Sequence, residues 1–168
     1  MSTPAIILKA IKDNKLVEFI PKMKGRELPE RGLFLTPALN KWVLQEPKKN
    51  PSMQYHADVY ADLKVFVIGE EIDDCNFMKQ SRPFIDDIWA IRILFRPQCR
   101  IFGAFLCKDC FIGLHKAERK NLDYDKHVKR AKDEWQDLFP GTLRLSGTRF
   151  SHYVSNGMER DHDRKKYN

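Results

Sequence analysis

Apolar residues along this chain follow two different rhythms. Between residues 88 and 116 they come in short β-branched and aromatic runs. The first is Ile88-Trp89-Ala90-Ile91-Arg92-Ile93-Leu94-Phe95, followed by runs at 100–107 and 110–116. Such residues fit a pleated strand. Arg96-Pro97-Gln98 separates the first pair of runs, and the dipeptide Lys108-Asp109 separates the second pair. The spacing predicts an antiparallel meander with a two-residue hairpin loop, although glycine is the usual residue in such a loop. Over 124–138 the rhythm changes. Tyr124, Val128, Ala131, Trp135 and Leu138 recur at steps of four and three, which draws one apolar stripe on a helix. Asp123 is placed to cap that helix and Pro140 to close it.

The flanks carry weaker patterns. Ala5 to Ile11 and Leu16 to Ile20 are apolar runs around the polar Lys12-Asp13-Asn14-Lys15. They read as a hairpin, with an amphipathic helix over the first run as the rival. Residues 21–52 are rich in proline and read as a long loop with one strand at 41–45. Residues 56–80 read as helix, broken at Gly69 and resumed as a second short helix over 70–78. Val65 to Ile68 fits a strand equally well. Beyond Gly141 the chain is polar, and 161–168 is expected to fray.

A two-residue loop at 108–109 fixes the hairpin register. Cys107 then faces Cys110, Phe105 faces Ile112, Gly103 faces Leu114, and Phe102 faces His115. One face of this sheet is apolar and belongs to the core, with both flanking helices expected on that side. The other face gathers Arg92, Arg100 and His115 around Phe102, with Lys116, Arg119 and Lys120 just beyond. Like charges on neighbouring strands repel, so stability gives no reason for the crowding. A phosphate does, because guanidinium groups bind phosphate oxygens bidentately. The bland reading pairs each arginine with Asp86, Asp87 or a more distant carboxylate. His115 suits general acid–base work by residue type.

Charge adds to this picture. The chain has 168 residues and a formal net charge of +7, and its residues 1–87 are neutral, so the whole excess sits in 88–168. Such asymmetry points to a polyanion, with nucleic acid first. The longest uncharged apolar run here, 101–107, is far short of the ~20 residues of a membrane helix. The N-terminus lacks the pattern of a secretory signal. With four cysteines and no dense disulfide framework, a reducing cytoplasm is the expected compartment. Cys107 and Cys110 form a C-x-x-C with no second paired motif, and they read as plain thiols rather than zinc ligands. No metal or cofactor is expected.

Taken together, Ile88-Trp89-Ala90-Ile91-Arg92, Arg100-Ile101-Phe102-Gly103-Ala104-Phe105 and Phe111-Ile112-Gly113-Leu114-His115-Lys116-Ala117-Glu118-Arg119-Lys120-Asn121 resemble the RelE/HigB-like toxins of bacterial and phage toxin–antitoxin systems. The resemblance spans roughly residues 56–138 and implies an α+β fold, a curved antiparallel sheet with N-terminal helices and a helix after the meander. On that scheme 1–55 is an N-terminal extension, 56–139 the toxin-like core, and 140–168 a basic, partly disordered tail. The resemblance further implies a metal-independent endoribonuclease that cleaves mRNA, usually on the ribosome, and is neutralised by an antitoxin protein. Arg92, Arg100 and His115 would be its catalytic set. Lys116, Arg119, Lys120, Phe102, Lys126, Lys129 and Arg130 would hold RNA. The strand departs from the family where Ala90 follows Trp89 in place of an acidic residue. A nucleic-acid-binding or phage accessory protein that does not cut RNA is the alternative.

Overall fold

The computed structural model describes residues 3–45 and 52–160. The protein is mixed α+β: four α-helices pack on a six-stranded mixed sheet, and a two-stranded sheet lies beside them. In chain order the elements are α1 (Thr3–Lys12), β1 (Val17–Glu18), β2 (Gly32–Leu35), α2 (Pro37–Val43), α3 (Ser52–Val67), β3 (Ile72–Asp73), β4 (Met78–Gln80), β5 (Trp89–Ile93), β6 (Cys99–Cys107), β7 (Cys110–Glu118), α4 (Tyr124–Leu138) and β8 (Gly157–Met158). The main sheet runs β1-β2-β7-β6-β5-β4.

The meander forms as its alternation predicts. Cys107 pairs with Cys110 and Phe102 with His115, but Gly103 pairs with Gly113 and Phe105 with Phe111, between two register irregularities. These β-bulges offset each other, so both ends of the hairpin keep the expected register while its middle shifts by one residue. Glycine suits the shifted stretch, because a Cβ on Gly103 would collide with the Ile112 carbonyl. The Lys108-Asp109 loop works without glycine. Asp109 takes a positive φ of 61° and is tied to Ser155 by hydrogen bonds from its N–H (2.7 Å) and its hydroxyl (2.6 Å).

The sheet is not purely antiparallel, because β2 lies parallel to β7. The two expected helices also sit on opposite faces rather than on one. Trp89, Ile91, Ile101 and Phe105 pack against Val59, Leu63 and Phe66 of α3. Ala90, Phe102, Ala104 and Ile112 pack against Val128, Ala131 and Trp135 of α4 and against Ile7 and Ala10 of α1. The reason is visible in β6, which is buried along nearly its whole length. A strand apolar on both faces needs cover on both.

Several flanking segments differ from expectation. The first run is helix α1, not a hairpin. Ile7 and Ala10 make its buried side, and Asn14 (φ 55°) ends it while the Lys15 N–H bonds back to the Ala10 carbonyl at 2.9 Å. The loop over 21–52 holds β2 and α2, so the expected strand at 41–45 is the end of a helix. Residues 70–78 supply β3 and the start of β4, not a second helix. Residues 140–160 are part of the fold, with Phe150, Tyr153 and Val154 fully buried. Residues 161–168, expected to fray, lie outside the described residues. No helix among the described residues is long and apolar enough to cross a membrane.

Candidate nucleic-acid interface

Arg92 and Arg100 stand directly opposite each other across β5 and β6. Alternation along β5 sends Trp89, Ile91 and Ile93 toward α3, which leaves Ala90 and Arg92 on the α4 face. There the two arginines line a pocket of about 440 Å³ with Lys79, Arg82, Arg119 and Tyr124, and Asp125 is the one carboxylate among the described residues that line it. Gln80 and Ser81 add neutral polar groups.

Arg92 and Arg100 are only partly satisfied. Arg92 donates through Nη1 to the Cys75 carbonyl, but its Nε is shielded from solvent and has no acceptor. Arg100 is 4% exposed and donates to the Cys99 carbonyl at 3.1 Å. Burial pushes its guanidinium below the usual range. The Arg92 charge adds to that, a hydrogen bond with Tyr124 opposes it, and the Arg119 charge pushes further down. Arg119, just past β7, is exposed and braced on the Gln98 side chain at 2.6 Å. Among the described residues no carboxylate forms an ion pair with Arg92, Arg100 or Arg119.

His115 lies elsewhere. It is 4% exposed, and its Nδ1 is 2.6 Å from Glu134 Oε2 while its Nε2 is 3.2 Å from His127 Nδ1. A carboxylate only accepts, so His115 Nδ1 donates to Glu134. With His115 neutral, its Nε2 accepts from His127 Nδ1–H, which leaves the lone pair of His127 on Nε2. Arg130 closes the network by donating to the second oxygen of Glu134 at 2.8 Å. The Phe102 ring is stacked with both imidazoles, 5.3 Å from each. It is fully buried and has no face open to a base.

The fold therefore brings Arg92, Arg100 and Arg119 into one pocket and puts His115 and Phe102 into a separate layer under α4. Lys120 and Lys129 are exposed, as is Lys126 on the first turn of α4. Lys116 is half-buried with its ammonium 4.9 Å from the Trp42 ring centroid. The pattern of the chain missed Lys79, Arg82 and Tyr124 as pocket residues. Arg82 reads only as a stop before Pro83, and Tyr124 reads as the first residue of the apolar stripe. Yet Tyr124 is 44% exposed and lines the pocket with Arg100. The signal available for it was its place beside the charged Asp123 and Asp125. No protein-family model matches this chain, and no curated protein or solved structure matches it.

Proposed function

We propose that this protein binds RNA and seats a backbone phosphate in the Arg92–Arg100 pocket. The observation that carries the proposal is the cross-strand pair of arginines with a shielded, acceptor-less Nε on Arg92. A buried donor without a partner costs about 1–3 kcal/mol, and the facing charges add repulsion. A phosphate seated between the two guanidiniums offsets that repulsion and accepts from their N–H groups. The test is binding of an unstructured RNA by the full chain at several salt concentrations. Affinity should fall steeply with salt, and Arg92→Gln with Arg100→Gln should flatten that slope by about one counterion per lost contact. Salt-independent binding, or an unchanged slope in the double variant, would remove this pocket as a phosphate site.

A second reading, metal-independent RNA cleavage in the manner of RelE/HigB-like toxins, is favoured by Tyr124, which lines the same pocket as Arg92 and Arg100. In that chemistry a ribose 2′-OH attacks the adjacent phosphate and the 5′-oxygen leaves with a proton. Arg92 and Arg100 would stabilise the charge that builds on the phosphorane, and Tyr124 is the proton-carrying group beside them. The Glu134–His115–His127 network ends one ring away, on the far side of Phe102. A toxin of this kind needs an acidic antitoxin protein, and the exposed Lys126, Lys129 and Arg130 of α4 are the surface such a partner would meet. Growth arrest with mRNA loss on induction, abolished by Tyr124→Phe together with Arg92→Gln, supports this reading. Normal growth leaves RNA binding without cutting.

A further inference from the structure

The phosphate pocket does not end at Arg119. The same side chain lines a second depression of about 700 Å³ around the Arg96-Pro97-Gln98 turn, together with Lys120 and Glu118. That depression shares Arg96, Pro97 and Glu118 with a third, of about 400 Å³, walled by Trp42, Tyr55 and His56 and reached by Lys116. The shared residues set the three depressions side by side, a broken groove from the α4 face past the β5–β6 turn to the α3 face.

The two ends of this groove differ in chemistry. The first is cationic. At the other, Trp42 and His56 meet edge to face at 5.6 Å and 68°, and Tyr55 and His56 at 5.5 Å and 80°. Edge-to-face packing sets each ring steeply to its neighbour, so the pocket is walled by both ring faces and ring edges. Tyr55 is held in place by its hydroxyl donating to Cys99 Sγ at 3.3 Å. Lys116 covers one face of Trp42 and brings a cation within reach of whatever lies beside the rings. Arg96, Lys116 and Lys120 line the way between, with Glu118 as the opposing charge.

We infer that this groove takes single-stranded RNA, with phosphates along its basic part and an unpaired base stacked in the Trp42–Tyr55–His56 pocket. This rests on the RNA-binding reading above and adds to it the strandedness of the ligand and a base-stacking site. A duplex hides its base faces in its own stack and offers nothing to an aromatic pocket, whereas every unpaired base has a free π-face. The aromatic pocket is built from α2 and α3, so the N-terminal part of the chain supplies it.

Tryptophan emission tests the inference. Trp89 and Trp135 are fully buried, and Trp42 alone of the three tryptophans is half-buried and lines the groove. Titrating the full chain with an unstructured oligouridylate should quench emission, while a duplex of equal length should bind more weakly and not quench. Trp42→Leu should lose the quench and about tenfold in affinity, with the salt slope kept because the phosphate contacts remain. Trp42→Phe retains a ring and should keep most of the affinity, which guards against a Leu variant that folds poorly. Arg96→Gln, at an exposed position, should lower the salt slope. Wild-type affinity in both Trp42 variants without a quench, or equal binding of duplex and single strand, would overturn the groove. If Arg92→Gln with Arg100→Gln still loses affinity in that case, the phosphate pocket stands without it. Failure of the unaltered protein to bind the oligouridylate would end both.

Discussion

Two buried arginines in this molecule have opposite surroundings. Arg31 is 3% exposed and Arg100 4%. Arg31 donates to the carbonyls of Phe66 (3.2 Å), Gly69 (3.3 Å), Glu70 (2.9 Å) and Ser155, and its Nε lies 3.5 Å from Asp109. It joins the end of α3, the hairpin loop and the C-terminal segment in one knot. Arg100 has one carbonyl, that of Cys99, and it faces Arg92 and shares its pocket with Arg119. Burial lowers the pKa of both guanidiniums, but Asp109 and Glu30 oppose the shift at Arg31, while Arg92 and Arg119 deepen it at Arg100. The lesson is that burial of a charge does not by itself tell structure from function. What separates them is the counter-charge and the number of carbonyls the protein supplies, since the Arg31 Nε, like that of Arg92, is buried without a hydrogen bond.

The largest expected effect breaks the comparison on the stability side. Arg31→Met should cost about 3–5 kcal/mol in urea unfolding, because it leaves several buried carbonyls without a donor and removes the counter-charge of Asp109. Arg100→Met should move stability by no more than about 0.5 kcal/mol, since it removes a repulsive charge. A large loss at Arg100 would mean that its role is structural after all.

Affinity should show the reverse. Arg92→Gln or Arg100→Gln should each weaken RNA binding by about tenfold to a hundredfold, the value of hydrogen bonds to a charged group. Arg31→Lys should leave affinity per folded molecule unchanged. Filter binding at fixed salt compares the three directly.

Tyr124→Phe sharpens the question of cutting. If the hydroxyl serves proton transfer, single-turnover RNA cleavage should slow by at least about a hundredfold while affinity falls by less than about tenfold. Equal losses in rate and affinity would make Tyr124 a binding group only.

The smallest effect concerns the layer under α4, where charge is fully partnered. Burial raises the Glu134 carboxyl, but hydrogen bonds and charges from His115 and Arg130 outweigh it and hold the group below the usual carboxylate range. Burial, followed by the charges of His115, Arg130 and Lys126, holds His127 below its ordinary 6.5. At both sites the unfolded chain takes up a proton that the folded protein resists, so stability is full at higher pH and falls on acidification. The loss begins below about pH 6.5 through His127 and continues below about pH 4.5 through Glu134. Urea midpoints across this range should show both limbs. His127→Gln should remove the first and Glu134→Gln the second.

Periodicity in the chain determined the meander over β5, β6 and β7 and the helix α4 with its Asp123 cap, which accepts from the Lys126 N–H at 3.1 Å. These are local: a period of two, a step of four and three, and a capping side chain act within a few residues. The same alternation put Arg92 and Arg100 on one face and opposite each other, because a tight hairpin and a short turn leave little choice of register. Other features depended on distant parts of the chain. The parallel seat of β2 beside β7, the cover on both faces of the sheet and the packing of Phe150 and Tyr153 rest on contacts between segments far apart in sequence. So does the fate of each charged side chain. Arg31, Arg100 and His115 look alike in the sequence, each a polar residue at the edge of an apolar run. Tertiary structure alone gave Arg31 its four carbonyls, His115 its Glu134, and Arg100 other cations beside a single carbonyl, because a side chain's partners are set by what the fold brings near it.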